Sequence, residues 1–235
     1  MEEKERRDKS RLYQKKLRYK SNEGITMKFL ITAGPTRENI DPVRFISNRS
    51  SGKMGYAIAE AAYTSGHEVC LITGPINLPT PDGVEMVYVE SAEDMFNAVK
   101  SNIEDSDCLI MSAAVADWTP IECNSNKLKK DNFDGVLKLK RTKDILAELK
   151  HCKGNRIFVG FAAETEDLVR NANNKLVSKA LDFIVANDIT QQGAGFGCDT
   201  NIVTIFYADG LIELPKMTKS KVAKKIIERV VELRV

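Results

Sequence analysis

The sequence predicts an α/β fold: a three-layer, Rossmann-like, mostly parallel sheet with helices on both faces and a C-terminal hairpin. Three observations carry that expectation. Short apolar runs that read as buried strands alternate with stretches of helical period, as βαβ units do. Several of these runs end in glycine, proline or other small residues, which leave room for a ligand at the carboxyl edge of a parallel sheet. Near the end, Asp209-Gly210 separates two β-prone runs, a strong hairpin signal.

The elements follow in order. Residues 1–26 are dense in Lys, Arg and Glu and read as a charged, flexible extension. The folded domain is expected over 27–235. Its first strand, Lys28–Ala33, ends in the sharp turn Gly34-Pro35-Thr36. A loop carrying Asp41-Pro42-Val43-Arg44 leads into Ile46 to Gly55, and a helix is expected from Tyr56 to a stop at Gly66. Strands follow at Glu68–Thr73 and Met86–Val89. A helix over Ala92–Ile103 takes Ser91 as its cap, with Asp94 three residues on. Further strands are expected at Asp107–Ser112, Val136–Leu139, Ile157–Phe161 and Phe183–Ala186, with helices at Lys143–Leu149 and Asp167–Leu181. A glycine-rich loop, Gly193 to Gly197, precedes the hairpin of Ile202–Tyr207 and Leu211–Leu214. Val222, Ile226, Ile227, Val230 and Leu233 form one stripe on a final helix.

Composition narrows the function. The 235 residues carry 35 basic and 33 acidic side chains, a net charge of +2, so nothing global points to nucleic acid or a membrane surface. No apolar run approaches the ~20 residues of a membrane helix. The five cysteines are dispersed without a CxxC pair, which fits a reducing cytoplasm. His67 and His151 sit near helix ends, where a cap or a solvated ring is the ordinary role.

Several segments suit an anionic ligand. Ser50, Ser51, Gly52 and Lys53 stand at a helix entrance, where free N–H groups and the macrodipole favour negative charge; a plain helix cap with glycines for close packing explains them equally well. The spacing does not fit a dinucleotide fingerprint. It is not a P-loop either, because Ser47 stands where glycine is needed and Met54 where Ser or Thr is needed. Small residues in Ser112-Ala113-Ala114-Val115-Ala116-Asp117-Trp118 let a ligand approach the backbone. Asp117 suits Mg²⁺ beside a nucleotide, or a turn before Pro120. Lys127-Leu128-Lys129-Lys130 either follows a phosphate or is a solvated face. Phe161 packs on a base or in the core. Lys175 and Lys179 share one helix face, toward a triphosphate or toward solvent.

From about Met27 to the C-terminus the chain resembles the bacterial phosphopantothenoylcysteine synthetase domain of coenzyme A biosynthesis. The residues that carry the resemblance are Gly34-Pro35-Thr36, Ile40-Asp41-Pro42-Val43-Arg44, Ile46 to Gly55, Ala113-Ala114-Val115-Ala116-Asp117-Trp118, Lys127-Leu128-Lys129-Lys130, Gly160-Phe161-Ala162-Ala163-Glu164-Thr165 and Ala186-Asn187-Asp188. They occur in the family's order and at its spacing. Thr119 stands where the family often carries Arg, and Thr142-Lys143-Asp144-Ile145 where it often carries Asn-Pro-Asp-Ile.

The resemblance implies a ligase that joins 4′-phosphopantothenate to cysteine through an acyl-cytidylate, with CTP as co-substrate and Mg²⁺, releasing CMP and pyrophosphate. The CTP preference rests on the resemblance alone. It implies Lys127 and Asn48 as catalytic, and Arg44 with Asn48 at the substrate. Asn48 would donate to the carbonyl oxygen under attack. The implied nucleotide site comprises Gly34, Thr36, Ser50, Ser51, Gly52, Ala113, Ala114, Asp117, Lys127, Phe161, Lys175 and Lys179, with Lys143, Asp144, Ile145 and Leu146; Asp117 also takes the metal. A homodimer with a shared site is implied, and a separate phosphopantothenoylcysteine decarboxylase for the next step. Two rivals remain. A nucleotide-binding oxidoreductase on a similar sheet predicts stabilisation by NADP. A non-catalytic module predicts salt-sensitive nucleic-acid binding through residues 1–26.

Overall fold

The computed structural model describes residues 25–234, apart from 131, 132, 134, 165, 189, 191, 192, 194 and 196. Most of the charged extension, Thr165, and Ala194 and Phe196 of the glycine-rich loop therefore lie outside the described residues. In chain order the elements are β1 (Lys28–Ala33), β2 (Arg37–Asn39), β3 (Phe45–Ser47), α1 (Lys53–Thr64), β4 (Glu68–Thr73), β5 (Glu85–Tyr88), α2 (Ala92–Asn102), β6 (Cys108–Met111), β7 (Trp118–Pro120) and β8 (Leu139–Arg141). Then come α3 (Ile145–Leu149), a 3-10 turn at Lys150–Cys152, β9 (Ile157–Glu164), α4 (Leu168–Ser178), β10 (Phe183–Asp188), β11 (Thr200–Tyr207), β12 (Gly210–Thr218) and α5 (Lys219–Arg234).

The main sheet has eight strands in the order β12-β11-β10-β9-β6-β1-β4-β5. All pairs from β5 to β10 are parallel, and β11 and β12 add the antiparallel edge. Strand β1 shows why the layers form. Apart from Lys28 it is buried throughout. Phe29, Ile31 and Ala33 join a core cluster with α1 and α5, while Leu30 joins a second cluster with α2, α3 and α4. Successive side chains point to opposite faces, so a strand covered on both faces must be apolar at every position. Helix α1 lies close over β1 because its sequence is rich in Ala and Gly. A Cβ on Gly55 would stand 2.6 Å from the Cβ of Ala33, so no larger residue fits without moving the helix.

The structure departs from the sequence reading in several places. The segment around Asp41 is the turn of a small hairpin, β2–β3, not a plain loop. A second hairpin pairs Trp118 with Arg141, so the strand expected at Val136–Leu139 lies instead at Leu139–Arg141. Both hairpins are too short and too polar to show a clear two-residue period. Helix α1 begins at Lys53, not Tyr56, because Gly52 supplies the positive φ of 75° at its N-cap.

His67 is buried, not solvated, and its Nδ1 accepts the Met27 N–H at 3.4 Å. Burial holds its pKa below the ordinary 6.5, since the charged ring would lose its hydration. Unfolding then takes up a proton below pH 6.5, so this stabilisation is complete above that pH and is lost as pH falls toward the folded value. Thermal melts from neutral to acid pH should show Tm falling in that window. His67→Asn keeps an acceptor without the titration and should flatten the slope; parallel slopes for the two proteins would exclude the effect.

Candidate active site

Chain order reverses between β1 and β6, so the loops after these strands diverge and leave a crevice at the carboxyl edge. A cavity of ≈ 900 Å³ opens there. Its walls come from Asn48–Gly55, the segment after β6, residues 141–146, the end of β9, helix α4 and the start of α5. Of the sequence-predicted residues, Asn48, Ser50, Ser51, Gly52, Ala113, Ala114, Asp117, Lys143, Asp144, Ile145, Leu146, Phe161, Lys175 and Lys179 all line it. Gly34, Thr36, Arg44 and Lys127 do not.

Thr36 is fully buried beneath the site. Its Oγ1 accepts the Ala116 N–H at 3.0 Å, and its carbonyl accepts the Ser47 hydroxyl at 2.7 Å. Thr32 likewise accepts the Ala113 N–H at 3.1 Å. These contacts brace the 113–117 loop, so Thr36 holds the cavity wall from behind. Gly34 acts similarly through its backbone, accepting the Ala114 N–H at 2.9 Å.

Asn48 is in the cavity, but its donors are already engaged. Nδ2 donates to the carbonyls of Ala114 at 3.0 Å and Val115 at 3.1 Å. Two carbonyl partners require the nitrogen at that position, which leaves Oδ1 as the group available to a ligand. The expected donation to a substrate carbonyl would require these bonds to be exchanged. Asn48 ties the helix-entrance loop to the loop after β6.

Arg44 is committed to Asp41, with Nε donating to Oδ2 at 3.0 Å and a second bond from its terminal nitrogen. That nitrogen also donates to the Leu128 carbonyl at 3.0 Å, while the Leu128 N–H reaches Asp41 Oδ2 at 3.1 Å. Asn124 N–H donates to Ile40 O at 3.0 Å. The loop carrying Lys127 is thus moored to the β2–β3 turn on both sides of that lysine, which is itself exposed. The Asp41 carboxylate is wholly buried; Arg44, with three backbone N–H groups, overcomes the cost of burial and holds it well below the usual carboxylate range.

Lys143, Lys179 and Lys53 of the cavity are paired with carboxylates. Lys143 meets Glu93 at 2.8 Å and lies over the Phe96 ring, and Lys179 meets Asp144 at 2.8 Å. Asp144 also caps α3 through the Ala147 N–H at 3.2 Å. Lys53, at the first position of α1, meets Asp199 at 2.6 Å. Exposed pairs of this kind hold weakly, so an anionic ligand can displace the carboxylates. Arg141, which lies over Trp118, and Lys53, Asn201 and Lys219 also line the cavity. Sequence reading missed Arg141, Asn201 and Lys219, because no local motif marks them.

Asp117 is an exposed carboxylate in the wall. Among the described residues no group of three or more His, Cys, Asp or Glu is arranged for a metal ion. Asp117 therefore suits an Mg²⁺ that arrives on ligand phosphates and keeps most of its water, not one held in a protein cage. Among the described residues, no helix is long and apolar enough to cross a membrane.

Comparison with known proteins agrees with this architecture. The chain is 54% identical over 206 residues to the coenzyme A biosynthesis bifunctional protein CoaBC of Bacillus subtilis (strain 168), covering 87% of this chain and 51% of that one. The chain thus spans about half the length of the curated relatives it matches. A crystal structure of the C-terminal domain of a CoaBC protein superposes with a TM-score of 0.78 at 44% identity, covering 91% of this chain and 98% of the other. The DNA/pantothenate metabolism flavoprotein from Streptococcus pneumoniae gives 0.76 at 30% identity, over 87% and 98%. Residues 25–233 match the model of one family, and the chain belongs to it: the DNA/pantothenate metabolism flavoprotein C-terminal domain family.

Proposed function

We propose that the protein is a phosphopantothenate–cysteine ligase of coenzyme A biosynthesis that uses CTP and Mg²⁺. The observation that carries this reading is the convergence of three segments, Asn48–Gly55, Ala113–Asp117 and Lys143–Leu146, on one basic cavity in a chain so similar to a coenzyme A biosynthesis protein. A carboxylate resists attack by an amine because oxide is a very poor leaving group. The 4′-phosphopantothenate carboxylate oxygen therefore attacks the α-phosphorus of CTP; a P–O bond forms and pyrophosphate departs. The cysteine amine then attacks the acyl carbon, an amide forms, and CMP leaves with the bonding pair.

In this scheme Lys179 exchanges its carboxylate partner, Asp144, for phosphate, and Lys175, one turn away in the cavity wall, meets the same phosphates. Asp117 is the residue that would hold Mg²⁺, which would supply neutralisation of charge on the leaving pyrophosphate. Lys127, exposed on its moored loop, is the ammonium assigned to the α-phosphate. The decisive measurement is pyrophosphate release. It is expected only with CTP, 4′-phosphopantothenate and Mg²⁺ together, with cysteine converting the intermediate to product. NADP-dependent stabilisation without pyrophosphate release would favour an oxidoreductase instead. Release with ATP but not CTP would overturn the nucleotide assignment alone.

The two small hairpins support a homodimer. Val43, Phe45, Trp118, Ile121 and Leu139 are exposed apolar side chains carried on or beside β2–β3 and β7–β8, close to the cavity mouth. Such clustering marks an interaction surface. Light scattering after gel filtration is expected to give twice the 26.2 kDa chain mass, and Phe45→Glu to give a monomer. A monomeric wild-type chain would remove the dimer from the scheme.

A further inference from the structure

Strands β10 and β11 run in opposite directions. The first residues of β11 therefore lie at the edge where the parallel strands end, which is the edge that carries the cavity. Asn201, the second residue of β11, lines that cavity and is only 5% exposed. Its side chain is on the same face as Val203 and Ile205, which pack in the core cluster shared with α1 and α5. A polar group in such a place needs a partner, because a buried donor left unmet is costly.

The Asn201 carboxamide is only half satisfied. Its Oδ1 accepts the Ile202 N–H at 3.1 Å, and that backbone donor fixes which end of the amide is oxygen. Among the described residues, Nδ2 has no hydrogen-bond partner. It is the group that Asn201 offers to the cavity it lines. Asn48 is the contrast, since its nitrogen is already taken by two carbonyls.

An amide nitrogen can only donate, so the missing partner is an acceptor oxygen. Two residues before Asn201, Asp199 meets Lys53 at 2.6 Å, so the first residue of α1 brings an ammonium to this end of the cavity. A donor beside a cation suits an ionised phosphoryl oxygen. The end in question is remote from the loop after β6. Strand β11 stands three places from β6 in the sheet, roughly 14 Å at about 4.8 Å per strand.

We propose that Asn201 Nδ2 donates to an oxygen of the terminal phosphates of a bound nucleoside triphosphate, a contact that the nucleoside monophosphate product does not make. The inference rests on the nucleotide reading of the cavity given above. It assigns to an antiparallel strand a part in telling triphosphate from monophosphate.

The test is calorimetric titration of the full chain with CTP, CMP and inorganic pyrophosphate, with Mg²⁺ throughout. Asn201→Ala is expected to weaken CTP and pyrophosphate about tenfold, the scale of one hydrogen bond to a charged acceptor, and to leave CMP within about twofold. Asn201→Asp keeps an acceptor for the Ile202 N–H and sets a carboxylate against the phosphate. It replaces the alanine variant if that one does not fold by circular dichroism, and is expected to weaken CTP by more than about tenfold. An asparagine that only shapes the wall would lower CTP and CMP together; equal losses overturn the contact, as does CTP affinity unchanged by the substitution. A parallel titration with 4′-phosphopantothenate separates the phosphate sources: a loss confined to that ligand also overturns it, reassigning the amide to the substrate's monophosphate. Turnover is read separately. Normal wild-type turnover, with CTP affinity unchanged in Asn201→Ala, rejects the contact alone. A CTP loss that spares CMP, in a protein whose wild-type form makes no ligase product, keeps the contact and rejects the ligase reading.

Discussion

Asn48→Asp is expected to lower ligase turnover by about 10²-fold, the scale on which a small displacement of the groups that position a substrate slows a reaction. The physical reason is specific to the observed geometry. The amide nitrogen donates to the carbonyls of both Ala114 and Val115, and so joins the two loops that meet at the crevice. A carboxylate there would face two carbonyl oxygens, repel them and open the junction. Because Asn48 is exposed, water can rehydrate the carbonyls, and the melting temperature should move little. Asn48→Ala deletes the donors without adding charge and should cost less. Rapid-quench kinetics with and without cysteine would locate the loss in acyl-nucleotide formation or in amide formation. Turnover equal to wild type would remove Asn48 from the site.

Lys127→Gln should lower acyl-nucleotide formation by about 10²-fold or more, since an ammonium that follows developing phosphate charge acts as an electrostatic catalyst. Its exposed side chain carries little packing, so the fold should persist. The mooring of its loop yields a sharper test. Asp41 and Arg44 hold Leu128, the next residue, through both its N–H and its carbonyl. If they act through Lys127, Asp41→Asn should reduce the same step, and adding it to Lys127→Gln should cost almost nothing more. Independent sites would instead give additive losses. Full activity of Lys127→Gln would reject the role of the lysine, whatever Asp41→Asn does.

The mooring also changes the meaning of Arg44. Its position in the sequence suggests a substrate contact, yet its guanidinium is committed to a buried carboxylate. Two guanidinium donors that converge on one carboxylate oxygen, with a third bond to the Leu128 carbonyl, fix the geometry, so Arg44→Lys is not a conservative change.

Much of the architecture was legible without coordinates. The apolar run Lys28–Ala33, the Ser91–Asp94 capping box and the Asp209-Gly210 hairpin are local features: each follows from side-chain period, a cap or a turn within a few residues. The hairpins β2–β3 and β7–β8 were not legible, because three-residue strands are held by partners far along the chain, such as Asn39 by Glu90 and Trp118 by Arg141.

For the candidate site, sequence alone determined the segments that would gather at the carboxyl edge, because small residues after a buried strand mark that edge wherever the sheet is parallel. Only the tertiary structure decided what each side chain does there. Thr36 turned out to be a brace, Asn48 a tie between two loops, and Arg44 a mooring. Lys219, at the far end of the chain, became part of the cavity wall. Hydrogen-bond partners and cavity walls are set by strand order and helix packing, which bring residue 219 beside residue 53, and no local pattern encodes that neighbourhood.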